Sequence, residues 1–183
     1  MCRALGLDFY IGPPRQPADA PAVDPRKDPN FSLVSSFPVE ASAGNGSTAV
    51  DVMPDGAFAF RTDWLTRQGV NVANAALLRA KGDSMQPVIW DGDVLMIDMS
   101  RTTPKDARLR SVNYHKRKQT YHRPVFVSEL DGELLVKIVR QVADDRVQLV
   151  SENLDYDPIE LRGDEINRLR IIGQVVWWGH TAG

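Results

Sequence analysis

The chain has 183 residues, is 43% hydrophobic and 25% charged, and carries a formal net charge of −2. That length supports one domain with a real core plus a tail, and the composition excludes a disordered or fibrous chain. No apolar run approaches the roughly 20 residues that span a bilayer, and the N-terminal residues lack a secretory h-region. Cys2 is the one cysteine, which excludes an internal disulfide and a cysteine-based zinc site. A cytoplasmic protein without membrane contact, metal or cofactor is expected.

The charge is unevenly spread. Residues 101–124 hold eight Lys/Arg against Asp106 alone, a local +7, with His115 and His122 in addition. The remainder is acidic. One basic stretch on an acidic body is not the footprint of a general nucleic-acid binder. The spacing of the two histidines suggests no metal site, and the stretch reads as a solvated loop.

In chain order, residues 4–11 are apolar, too short to bury themselves, and end at Pro13-Pro14. Residues 12–30 contain six prolines among small and charged residues, the composition of a stiff linker. The expected organisation is therefore a remnant of an upstream domain plus linker over residues 1–30, and a globular domain over 31–183. Residues 31–34 and 37–39 are short apolar pieces. Residues 41–48 form a Gly/Ser/Asn loop. A short strand is expected at Phe58–Phe60 and a helix start at Thr62–Leu65. Residues 75–80 read equally as helix or strand.

The second half is plainer. Residues 93–98 form an apolar run bounded by turn residues, hence a strand. Asp131-Gly132 separates strand patterns at 125–130 and 133–139. Both central residues of a type I′ turn need positive φ, so this dipeptide signals a hairpin. Asp144-Asp145 implies a second hairpin, to 146–151, and residues 171–178 supply a last strand. The count is six to eight strands with little helix, a mainly β chain.

Two residues stand out chemically. Ser84 follows Gly82, which permits a sharp turn, and precedes Pro87. A serine hydroxyl needs a neighbouring base and an exposed turn to act as a nucleophile. Lys137 sits in the apolar run Leu134-Leu-Val-Lys-Ile-Val139, where both faces of a strand are greasy. Burial disfavours its ammonium form, and a neutral amine is a competent general base. On these residues alone, an ordinary loop serine and an edge-strand lysine that snorkels to water remain open alternatives.

The ordered array Ala43-Gly44, Gly82-Asp83-Ser84-Met85-x-Pro87, Asp91-Gly92-Asp93-Val94, Asp131-Gly132-Glu133-Leu134-Leu135-Val136-Lys137 and Ile172-Gly173-Gln174-Val175-Val176-Trp177 resembles the LexA-like, S24-type C-terminal domain of self-cleaving repressors. The resemblance covers about residues 31–183. It implies a LexA/signal-peptidase-like β-rich fold of short strands and hairpins. It implies Ser84 as nucleophile, Lys137 as general base and Ala43–Gly44 as the bond cut in cis. The backbone N–H groups of Ser84 and Met85 would face the oxyanion. It further implies a homodimer through the C-terminal strand, a RecA filament on single-stranded DNA as co-protease in the SOS response, and operator DNA bound only through an N-terminal helix-turn-helix domain not seen in this sequence. The Ser84-to-Lys137 separation exceeds the compact family spacing by the basic stretch 107–123. Two other readings are a UmuD-like accessory of translesion synthesis and a non-catalytic dimerisation module.

Overall fold

The computed structural model describes residues 24–38, 53–104, 111–113, 119–121 and 124–181. Residues 4–11, the linker up to residue 23, the loop holding Ala43-Gly44, and His115 and His122 lie outside them. Eleven strands are described: β1 Phe31–Ser36, β2 Gly56–Arg61, β3 Ala75–Arg79, β4 Val94–Asp98, β5 Ser111–Asn113, β6 Gln119–Tyr121, β7 Val125–Leu130, β8 Glu133–Ala143, β9 Arg146–Val150, β10 Ile159–Arg162 and β11 Leu169–Gly179. One α-helix, α1 (Thr62–Gln68), and two 3-10 turns at 72–74 and 163–168 accompany them. The mainly β class stands.

The strand count exceeds the six to eight expected, for three reasons. Ala75–Arg79 is a strand buried on both faces, so its pattern does not alternate. β10 has four residues and lies at a sheet edge, too short to show a period. The basic stretch contains a two-stranded ladder, Ser111↔Tyr121 to Asn113↔Gln119, where a plain loop was expected.

Nine strands form one sheet in the order β10-β9-β8-β7-β11-β4-β3-β1-β2. All its pairs are antiparallel except β1 with β3, which meet in parallel at Ser36↔Leu77. The β7–β8 turn has Asp131 at φ 53° and Gly132 at φ 86°, the geometry that the Asp-Gly dipeptide demands. α1 begins at Thr62 and stops at Gly69, whose φ of 68° lets its N–H reach back to Thr66 O. Leu65 is the helix residue that enters the core, packing with Val34, Leu77 and Met96.

β11 runs through the middle of the sheet. Its first half pairs with β7 and its second half with β4, and Gln174 meets both. The register of β11 against β7 shifts between Ile171 and Gly173, and at Gly173 the strand also lies very close to the end of β4. A Cβ on Gly173 would stand 2.8 Å from Asp98 O and 3.1 Å from Met99 Cα. Backbone cannot step aside as a flexible side chain can, so only glycine fits. Gly173→Ala is expected to destabilise the fold by about 2–3 kcal/mol, read as a lowered midpoint in urea unfolding with an unchanged slope.

Candidate active site

Ser84 sits in the segment that links β3 to β4. The neck of this segment is closed by backbone bonds: Ala80 N–H to Asp93 O at 2.8 Å and Gly92 N–H to Ala80 O at 2.9 Å. Gly82, at φ 85°, turns the chain sharply, and its N–H donates to Asp91 Oδ1 at 2.7 Å. Met85 and Ile89, 3% and 1% exposed, drop into the main core beside Val127 and Ile138. Side chains buried this fully stabilise by about 1.5–3 kcal/mol each, so the turn is pinned from below. Asp93 braces its far end: Oδ2 accepts from Trp90 N–H at 2.8 Å, and Oδ1 lies 2.7 Å from His180 Nδ1 beyond β11. Among the described residues nothing accepts from the N–H groups of Ser84 or Met85, so both donors remain unspent.

Lys137 projects from β8, opposite the fully buried Phe126 of β7. It is 7% exposed and lines the same cleft as Ser84. Leu78 and Ala80 at the end of β3, Leu95, Val127 and the β8 residues Leu134 and Val136 build the rest of an apolar wall. The snorkelling alternative does not hold for this side chain. Its Nζ donates to the buried Ser151 Oγ at 2.9 Å. Among the described residues no carboxylate forms an ion pair with it. Burial lowers the Lys137 pKa below its ordinary value, and the Asp83 carboxylate opposes that shift. In this arrangement the amine bonds Ser151, and Ser84 lines the same cleft as Lys137.

Ser151 was not singled out from the sequence, and the reason is geometric. Counting back from the tight pair Ala143↔Arg146 would set Glu152 opposite Lys137. A bulge between Gln141 and Ala143 inserts one residue on β8, and from Val139↔Leu149 and Ile138↔Val150 the next position opposite Lys137 is Ser151. The loop beyond Ser151 then turns to the Ser84 segment. Asn153 donates its N–H to Ser84 O at 3.0 Å and its Nδ2 to Asp83 O at 3.3 Å. Tyr156 donates its hydroxyl to Asp83 Oδ1, and its ring centroid lies 5.3 Å from Lys137 Nζ. One loop thus touches both halves of the pair. The bulge, which has no sequence signature of its own, hid this from inspection.

Ser84, Met85 and Lys137 therefore come together, whereas Ala43 and Gly44 lie outside the described residues. No group of His, Cys, Asp and Glu suited to a metal occurs among the described residues. No helix among them is long and apolar enough to cross a membrane.

A strand-built cleft joining a turn serine to a buried lysine is the arrangement of a peptidase-like domain. The chain belongs to the Peptidase S24-like family, whose profile matches residues 33–176. It is 32% identical over 154 residues to an uncharacterized HTH-type transcriptional regulator of Haemophilus influenzae, covering 82% of this chain and 57% of that protein. It is 30% identical over 146 residues to the HTH-type transcriptional regulator PrtR of Pseudomonas aeruginosa, covering 76% and 50%. Against the LexA repressor of Xylella fastidiosa it is 30% identical over 90 residues, 49% of this chain and 34% of that one. The chain thus spans about half the length of the first two relatives.

The lowered Lys137 pKa has a sign that can be checked. The unfolded lysine binds its proton more tightly, so folding carries a penalty at neutral pH that fades as pH rises toward the unfolded value of about 10.4. Lys137→Met removes that titration. The stability of wild type relative to Lys137→Met should therefore improve once pH passes the lowered folded-state value on its way to about 10.4, measured by denaturant unfolding at a series of pH values. A constant difference would contradict the buried, titrating amine.

Proposed function

We propose that this chain is the self-cleaving, dimer-forming C-terminal part of a bacterial or prophage transcriptional repressor, cutting its own Ala43–Gly44 bond in response to DNA damage. The observation that carries the proposal is Ser84 and Lys137 lining one cleft, with the amine buried and held by a hydroxyl instead of a carboxylate.

In this reading the neutral Lys137 amine takes the Ser84 proton, and Oγ adds to the Ala43 carbonyl carbon. The Ser84 and Met85 N–H groups donate to the oxyanion. The Lys137 ammonium returns its proton to the Gly44 nitrogen as the peptide bond breaks. An acyl ester on Ser84 remains, and water, deprotonated by the same amine, hydrolyses it. Tethering supports action in cis. Phe37 N–H bonds Leu77 O at 2.9 Å and its ring packs on the core cluster that holds Met85. Asp55 N–H bonds Ser36 O at 2.9 Å on the returning strand. Six residues from Phe37 reach Ala43, a span of up to about 20 Å. The apolar cleft walls suit small residues, and a tethered peptide needs no encounter step.

The assembly follows the same logic. Among the described residues β7 pairs β11 only from Leu169 to Gln174, and beyond that point the ladder of β11 runs to β4. In this reading two copies meet across a two-fold axis through the C-terminal strand β11. An upstream DNA-binding domain on each copy would gain operator affinity through the shared dimer. The HTH-type names of the first two relatives favour a repressor over a translesion accessory. A RecA filament on single-stranded DNA is the proposed trigger.

Purified protein held at alkaline pH, or with activated RecA, should yield fragments ending at Ala43 and beginning at Gly44 by mass spectrometry. The rate should climb with pH as the amine sheds its proton. Ser84→Ala and Lys137→Ala should each lower it by at least about 10³-fold. Equal cleavage by wild type and Ser84→Ala would sink the proposal.

A further inference from the structure

The loop after β9 carries a tyrosine that the Ser84–Lys137 chemistry does not require. Tyr156 is 44% exposed, so the core has no need of it. Its ring nonetheless lies over Lys137 Nζ, 5.3 Å from the centroid, while its hydroxyl engages Asp83 Oδ1. Asp83 directly precedes Ser84. Its carboxylate and the Lys137 amine thus meet one phenol, the first at the hydroxyl and the second over the ring. A carboxylate this near an amine is a ready ion-pair partner, and such a pair favours the ammonium. An ammonium cannot accept the serine proton.

We propose that Tyr156 is a positioning residue whose hydroxyl engages the Asp83 carboxylate and keeps it from pairing with Lys137, leaving the amine available to Ser84. The proposal rests on the Ser84–Lys137 reading above. Several observations support it. Lys137 Nζ bonds Ser151 and forms no ion pair among the described residues. Asp83 is the charge that pulls the Lys137 pKa upward against burial. The hydrogen bond to Asp83 raises the Tyr156 pKa, so the phenol keeps its proton and remains a donor as the pH climbs. Asn153 holds the carbonyls of Asp83 and Ser84, which leaves the Asp83 side chain as the part free to swing. The groups around the amine are Ser151 from the end of β9, Asp83 from the serine turn, Tyr156 above it, and Arg79 and Lys81 among the residues lining the cleft. Asp83 is the one acid among them.

Tyr156→Phe keeps the ring and removes only the hydroxyl, so it isolates this effect. The test uses the full chain with Tyr156→Phe, Asp83→Asn and the pair combined. Two quantities are followed: the Lys137 side-chain titration by NMR in a Ser84→Ala background, assigned by its loss in Lys137→Arg, and the pH–rate profile of self-cleavage. Tyr156→Phe should raise the Lys137 midpoint, displace the profile to alkaline pH and slow cleavage at neutral pH about tenfold. Asp83→Asn should lower the midpoint, and in that background Tyr156→Phe should move neither quantity. An unmoved or lowered midpoint in Tyr156→Phe overturns the proposal. So does a rate loss equal at every pH, which a merely structural tyrosine would give, or a displacement that survives Asp83→Asn. The NMR titration needs no cleavage. A failed dyad, with Ser84→Ala cutting like wild type, is therefore told apart from a failed tyrosine role, in which Ser84→Ala is inert and the lysine midpoint stays put.

Discussion

A buried ammonium is costly unless a counter-charge is supplied, and this protein supplies a hydroxyl to Lys137 instead. That choice is the constraint around which the site is organised. A carboxylate partner would favour the charged ammonium. A hydroxyl orients the amine and leaves its proton loosely held. The apolar wall of Leu134, Val136 and Val127 provides the desolvation, and the sheet provides the stiffness that keeps water from relaxing it.

The serine is held by a different set of forces. Its turn is fastened by Met85 and Ile89 below, by Asp93 behind and by Asn153 from the side. These contacts come from core packing, from a buried acid that reaches His180 past the end of β11, and from the loop after β9. Ser84 is thereby carried on a segment whose neighbours are fixed. β11 connects these parts. It crosses the sheet centre, its second half pairs β4, and the chain just beyond it touches Asp93. A change at the end of β11 thus has a short mechanical path to the serine turn.

Much of this was legible from residue order. The Asp-Gly turn fixed the β7–β8 register, and with it Lys137 opposite Phe126. The glycine before Ser84 marked the turn. The unbroken apolar run around Lys137 allowed burial on both faces but left a snorkelling edge lysine open, and the fold decides for burial. What escaped was long-range or local to short pieces. β3 shows no alternation because both its faces are covered. β10 is too brief for periodicity. Ser151, Asn153 and Tyr156 sit in a polar stretch that looks like any surface loop, and only folding brings it 70 residues back along the chain to Asp83 and Ser84.

The bulge at Gln141–Ala143 has a consequence for how such domains lose or keep their chemistry. The identity of the lysine's neighbour is set by strand length, not by a side-chain choice. Val142, half exposed, is the extra residue that the bulge absorbs on β8. Losing one residue of β9 between Arg146 and Ser151, with the bulge kept, would slide Glu152 into the place of Ser151 and set a carboxylate against the amine. Every side chain lining the Ser84–Lys137 cleft would survive in the text of the gene, and a residue-by-residue comparison of that cleft would not register the change.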